Sequence, residues 1–138
     1  MMNEKNKKKN PQNSAFITQH SSLITHRAFD FAVRIIRLCQ YLEKQDRVSR
    51  TLANQLLRSG TSIGANAEEA QAGQSKADFI AKMSISRKES RETLYWLRLL
   101  EATQLVDQHM ITEIIKESDE LVRILTSIVK SAQQGKKQ

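Results

Sequence analysis

LLRSGTSIGANAEEAQAGQSKADF, Leu56 to Phe79, decides the architecture of this 138-residue chain, because it gathers three of the four glycines beside a Thr-Ser pair and an asparagine. Such a cluster is either a loop that cradles a phosphate or a helix whose small residues admit a neighbour. A Walker-type loop needs glycines five positions apart followed by Lys and Ser or Thr, so that backbone amides and the lysine surround the phosphates. Here Gly60 and Gly64 are four apart and Ala65 follows. No GxGxxG is present and no strand pattern precedes the stretch, which removes the dinucleotide fingerprint as well. The helical alternative fits better. Gly60, Gly64, Ala53, Ala67 and Ala70 recur at helical spacing, a small-residue face along which another helix backbone can approach closely. Each glycine inside a helix costs roughly 1 kcal/mol against alanine, so close packing or a local bend must offset it.

Working outward, Ser49 is a candidate N-cap for this helix, which carries Leu52, Leu56, Ile63, Ala67 and Ala70 inward. Gly73 offers a stop. Ser75 followed by Asp78 resembles a capping box opening a helix from Ser75 to about Glu101, about 40 Å long at ~1.5 Å per residue. Its core candidates are Phe79, Met83, Ser86, Ser90, Leu94, Leu97 and Leu100. Asp107 is placed to cap a last helix with Ile111, Ile114, Ile115, Leu121, Val122, Leu125, Ile128 and Val129 on its apolar face. Upstream, a helix begins at Arg27, with Phe29, Ala32, Val33, Ile36 and Cys39 on one stripe and Phe31, Ile35, Leu38 and Leu42 on the next. Only Asp30, Arg34, Arg37, Tyr41 and Lys44 interrupt it, so this helix is apolar around more of its circumference than a small monomer needs and predicts a second buried interface. Short connections between four such helices predict an all-α, antiparallel up-and-down four-helix bundle over residues 27–133.

Composition agrees with an all-helical chain: one proline and four glycines leave little turn chemistry. Residues 1–26 are polar, contain the imperfect repeat SAFITQH and SSLITHR, and are expected to form a disordered low-complexity extension; 134–138 form a basic tail. Cys39 is the single cysteine, so no internal disulfide forms and a reducing, cytoplasmic setting is expected. No apolar run reaches the roughly 20 residues of a membrane span, and no secretory h-region is present. The net charge of +7 lies mostly in the tails. Residues 27–98 still carry 13 basic against 8 acidic groups, while residues 99–133 carry 3 against 6, so the first three helices are basic and the last is acidic.

No catalytic, metal or cofactor site is expected. His20, His26 and His109 lack zinc spacing, and Cys39 sits on an apolar face where a buried thiol is inert. The carboxylate pairs Glu68–Glu69 and Glu89–Glu92 read as solvated or ion-paired helix surface. One constellation points to a partner. Arg87, Arg91, Tyr95 and Arg98 share a stripe of the third helix, echoed by Arg34, Arg37 and Tyr41 on the first. Arginines interleaved with tyrosine contact phosphates and stack on bases; the bland alternative is a solvated face paired to nearby acids. Asn66 and Glu69 are expected to be buried polar partners in helix packing, with a ligand contact as the alternative.

The segment from Ser59 to Ala102 resembles the four-helix-bundle family of proteins encoded by intervening sequences in bacterial 23S ribosomal RNA genes. The residues that carry the resemblance are Ser62, Gly64, Asn66, Glu69, Ala70, Ser75, Asp78, Phe79, Glu89, Glu92, Thr93, Trp96 and Leu97. It implies an antiparallel bundle that assembles as a homopentamer and has no known enzymatic activity. Residues 1–26 have no counterpart in the pattern. A similar fold occurs in basic accessory proteins of diversity-generating retroelements, which bind nucleic acid and a reverse transcriptase. The expected function is a non-enzymatic homo-oligomeric scaffold associated with RNA or DNA; a protein-binding adaptor is the alternative, and so is an accessory protein of a reverse transcriptase.

Overall fold

The computed structural model describes the backbone of residues 11–136 and side chains between residues 23 and 135. Four helices follow one another: α1 (Pro11–Glu43), α2 (Arg47–Gln71), α3 (Lys76–Ala102) and α4 (Gln108–Lys136). Each packs on its neighbours in the chain, and α1 closes the ring on α4. The directions follow from the contacts. Cys39 meets Ala53, Ile35 meets Gly60 and Ala28 meets Gly64, so α2 descends as α1 rises. Ser86 against Ile63 and Thr93 against Ser59 set α3 antiparallel to α2 in the same way.

The core is the inner face of all four helices. Phe31, Ile35, Leu42, Leu56, Ile63, Met83, Leu97, Leu100, Ile111, Leu121 and Leu125 are fully buried. Phe79, Trp96, Leu52 and Ile115 pack against them from the margin. Small residues bring α1 and α2 together: a Cβ on Gly60 would lie 2.8 Å from Ile35 Cγ2, and one on Gly64 would meet the Ala28 Cβ at 3.4 Å. Between α2 and α3 the buried layer is hydroxylic. Ser86 donates to the Ile63 carbonyl at 2.7 Å, and the Thr93 and Ser59 hydroxyls share a hydrogen bond at 2.9 Å.

The helix ends show which local signals hold. Ser75 caps α3, accepting from the Asp78 amide at 3.1 Å, with Asp78 in the first turn where a carboxylate complements the helix dipole. The α2 cap is Asp46, three residues before the expected Ser49: its carboxylate accepts from the Ser49 amide at 2.8 Å, and Ser49 is buried one turn inside. That amide bond holds the Asp46 carboxyl below its ordinary pKa. Gly73 does follow α2, but with no positive φ. The left-handed residue is Gln104, φ 56°, where Leu105 donates to the Leu100 carbonyl and Gln104 to that of Glu101, the two bonds of a Schellman turn ending α3.

Two boundaries differ from the sequence expectation. The first helix starts at Pro11, not Arg27, so residues 11–26 are not a disordered extension: they are helical, and Ile24 is fully buried in the core. Helical periodicity there is diluted by Ser, Thr, Gln and His, which hides the helix from a reading of apolar spacing. At the other end α4 absorbs residues 134–136 of the expected basic tail. Residues 1–10 and 137–138 lie outside the described part, as do the side chains of the repeat Ser14–His20.

One core position is polar without compensation. Ser118 is fully buried, and its Oγ has no hydrogen-bond partner among the described residues. An unsatisfied buried hydroxyl costs about 1 kcal/mol or more, so Ser118→Ala should raise the urea midpoint by an equivalent amount. A lower midpoint would mean that the hydroxyl is bonded in solution.

Candidate nucleic-acid interface

The arginines divide into two groups by what they touch. Arg27 reaches from α1 to α4, where its guanidinium meets Glu117 and Glu120 at 2.5 Å each. The hydrogen bonds that it donates to Glu117 first and Glu120 second raise its pKa further above its ordinary value. Arg58 joins α2 to α3 through Glu89, at 3.1 Å, and Glu92. Arg123 pairs with Asp119 on its own helix at 2.9 Å. These cations are spent on acids.

The arginines expected to face a partner behave differently. Arg34, Arg37, Arg87, Arg91 and Arg98 make no ion pair among the described residues. Arg91 and Arg98 are exposed and Arg87 is half-buried, along a row that rises about 16 Å on α3. Tyr95 stands in that row, 53 % exposed, its ring edge-on to Trp96 with centroids 5.2 Å apart. These five are therefore not acid-paired among the described residues, and four of them, Arg34, Arg37, Arg91 and Arg98, are exposed to solvent.

The two arginine rows do not form one surface. α1 and α3 are not adjacent in the ring of packed helices, and they flank α4 from opposite sides, with Glu113, Lys116, Glu120 and Arg123 exposed on the helix between them. Arg34 and Arg37 instead line a groove between α1 and α4, together with His109 and Glu113 over Leu38, Met110 and Ile114. His109 belongs to this cluster, although nothing in the sequence marked it. Tyr41, expected beside Arg34 and Arg37, is half-buried and packs on the core.

The other motif residues have structural positions. Gly60 and Gly64 meet α1, as above. Asn66 is half-buried but donates to the Ser62 carbonyl of its own helix at 2.8 Å, and Glu69 is exposed, so neither is a buried partner between helices. A polar residue one turn from its acceptor satisfies itself locally, which explains the difference. Glu92 serves the Arg58 bridge, and the Trp96 Nε1 is buried without a partner among the described residues. Cys39 donates its thiol to the Ala53 carbonyl at 3.4 Å, and burial, then Glu43, pushes its pKa up to about 11. No cluster of metal-ligating side chains occurs among the described residues. None of the described helices is long and apolar enough to cross a membrane.

A closed ring of four helices with unpaired arginines on α1 and α3 defines a helical-bundle protein with a cationic surface. The sequence profile described as 23S rRNA-intervening sequence protein matches residues 21–127. A protein of unknown function from the S23 ribosomal protein family of Bacteroides thetaiotaomicron is 40% identical, with a TM-score of 0.72, over 80% of this chain and 98% of its own. Comparison with functionally curated proteins finds no match. The chain belongs to the family of 23S rRNA-intervening sequence proteins. The match from residue 21 includes six residues of the segment expected to lie outside the family pattern, in keeping with the buried Ile24.

Proposed function

We propose that this protein is a non-enzymatic, homo-oligomeric scaffold of the cytoplasm that holds RNA or DNA through its unpaired arginines. The observation that carries this is the division of the arginines. Three are paired to carboxylates, whereas Arg87, Arg91 and Arg98 share a helix stripe with the exposed Tyr95 ring and make no ion pair among the described residues. A row of cations with one aromatic face suits a phosphate backbone and a stacked base.

Self-association is supported by apolar surface on α1. Phe29 is 60 % and Ile36 41 % exposed, and the register that sets Ile35 against Gly60 brings Leu57 of α2, 38 % exposed, to the level of Ile36. The family resemblance favours a pentamer. A protein-binding adaptor would use the same apolar row for a foreign helix, and native mass distinguishes the two.

For the arginine row, retention of single-stranded RNA should fall steeply with salt. Arg87→Ala with Arg91→Ala should weaken it about tenfold and flatten the salt slope by roughly 1.4, two lost phosphate contacts at ~0.7 each. No retention at low salt, or retention unchanged in the double variant, would overturn the assignment.

A further inference from the structure

The groove between α1 and α4 has chemistry that the α3 row lacks. Its volume is about 390 Å³, within the range of roughly 300–1,000 Å³ that small-molecule sites occupy. Its floor is apolar: Leu38 is 3% and Ile114 7% exposed, and Met110 is half-buried beside them. Its rim is cationic through Arg34 and Arg37, one turn apart on α1, and α4 adds the His109 imidazole to the lining. Glu113 is the single acid of the lining. It lies 3.5 Å from Lys116 and is paired to neither arginine.

These groups ask for a ligand with one anionic end, one flat apolar body and at least one hydrogen-bond donor. An inorganic anion would satisfy the arginines and leave the apolar floor uncovered. An acidic peptide would place its carboxylates against Glu113. A purine ring fits the floor, where the Met110 thioether offers a soft contact to an aromatic face. A phosphate monoester on the same molecule accepts paired N–H bonds from Arg34 and Arg37, and ribose hydroxyls or an exocyclic amine donate to Glu113.

We infer that the α1–α4 groove binds a purine nucleoside 5′-monophosphate unit, with phosphate on Arg34 and Arg37 and the base on Leu38, Met110 and Ile114. This rests on the nucleic-acid reading of Arg34 and Arg37. It adds a discrete nucleotide site, separate from the α3 row. The unit is either a free nucleotide or the phosphorylated 5′ end of a strand, since both present the same groups.

The test uses the full chain carrying 13C-methyl methionine, with the Met110 signal assigned through Met110→Leu. Adenosine 5′-monophosphate should shift that signal saturably, and Arg34→Ala with Arg37→Ala should raise the half-saturation concentration about tenfold or more. Both arginines are exposed, so the variant keeps its fold. Ile114→Asp should weaken the nucleotide response as well; the wild-type titrations decide the matter if that variant fails to fold. A short RNA with a 5′-phosphate that displaces the nucleotide, where its 5′-hydroxyl counterpart does not, identifies the strand end as the source. Displacement by neither RNA identifies the free nucleotide. No response to the nucleotide, an equal response to inorganic phosphate, or an equal response to a glutamate-rich peptide overturns the inference. The outcomes separate from those of the α3 row. RNA retention lost on Arg87 and Arg91 replacement without a nucleotide response removes the groove alone, and a nucleotide response without RNA retention removes the row alone.

Discussion

Replacing Gly60 with leucine is expected to destabilise the bundle by about 3 kcal/mol, the upper part of the range for overpacked cores. A Cβ at Gly60 would lie 2.8, 3.1 and 3.3 Å from Cγ2, Cγ1 and Cβ of Ile35. These atoms are the root of the side chain, not its tip, and Ile35 is fully buried, so it has no space to withdraw into. Alanine alone should be destabilising, because the clash exceeds the gain of about 1 kcal/mol that Gly to Ala brings inside a helix. Gly64→Ala supplies the contrast. Its Cβ would reach the Ala28 Cβ at 3.4 Å, an ordinary contact, so the helix-propensity gain remains and the variant should be more stable than the parent. Urea unfolding at one fixed protein concentration, needed where self-association contributes, measures both. Gly60→Ala matching Gly64→Ala in stability would remove the close-approach account. In combination with Ile35→Ala, the Gly60→Ala cost should largely vanish, as expected of two residues in direct contact.

The second large effect lies in the segment that composition marks as an appendage. Ile24→Ala should cost about 3 kcal/mol, as for a fully buried isoleucine whose loss leaves a cavity. Ile24 is 0% exposed. The register set by Arg27 on Glu117 and Glu120 carries Ile24 one turn further, toward the level of Leu121 and Leu125 on α4. A change below about 0.5 kcal/mol, the scale of surface substitutions, would place this part of α1 outside the core.

Much of the bundle is legible because its signals are local. The Ser75 cap with Asp78, the small-residue face at Gly60 and Gly64, and the apolar periods of α2 to α4 each lie within a turn or two of sequence. The burial of Ile24 is not a local signal. Ile24 is buried because other helices of the bundle cover it, and no pattern within residues 11–26 announces that cover. The α2 cap shows a smaller failure of the same kind: Asp46 and Ser49 are both capping residues, and only the three-dimensional path of the α1–α2 turn chooses the first. For the interface, sequence spacing places Arg87, Arg91, Tyr95 and Arg98 together correctly, because they share one helix. It cannot bring His109 to Arg34 and Arg37, which are joined only when α4 folds back along α1.

The hydroxyl layer between α2 and α3 bears on how the bundle moves. Apolar helix faces fix their register through shape alone, and a repacked face leaves no polar group without a partner. The Ser86 hydroxyl on the Ile63 carbonyl and the Thr93–Ser59 pair differ: a slip of one turn, ~5.4 Å, strands buried polar groups against hydrocarbon. With Arg58 spanning the same two helices to Glu89 and Glu92, α2 and α3 are held in one register. Opening is then expected first at the α1–α4 seam, where Arg27 makes the inter-helix ion pairs among the described residues and where the nucleotide groove lies. The nucleotide groove thus lies on the seam that opens most readily, whereas the arginine row of α3 is carried by the two helices held in register.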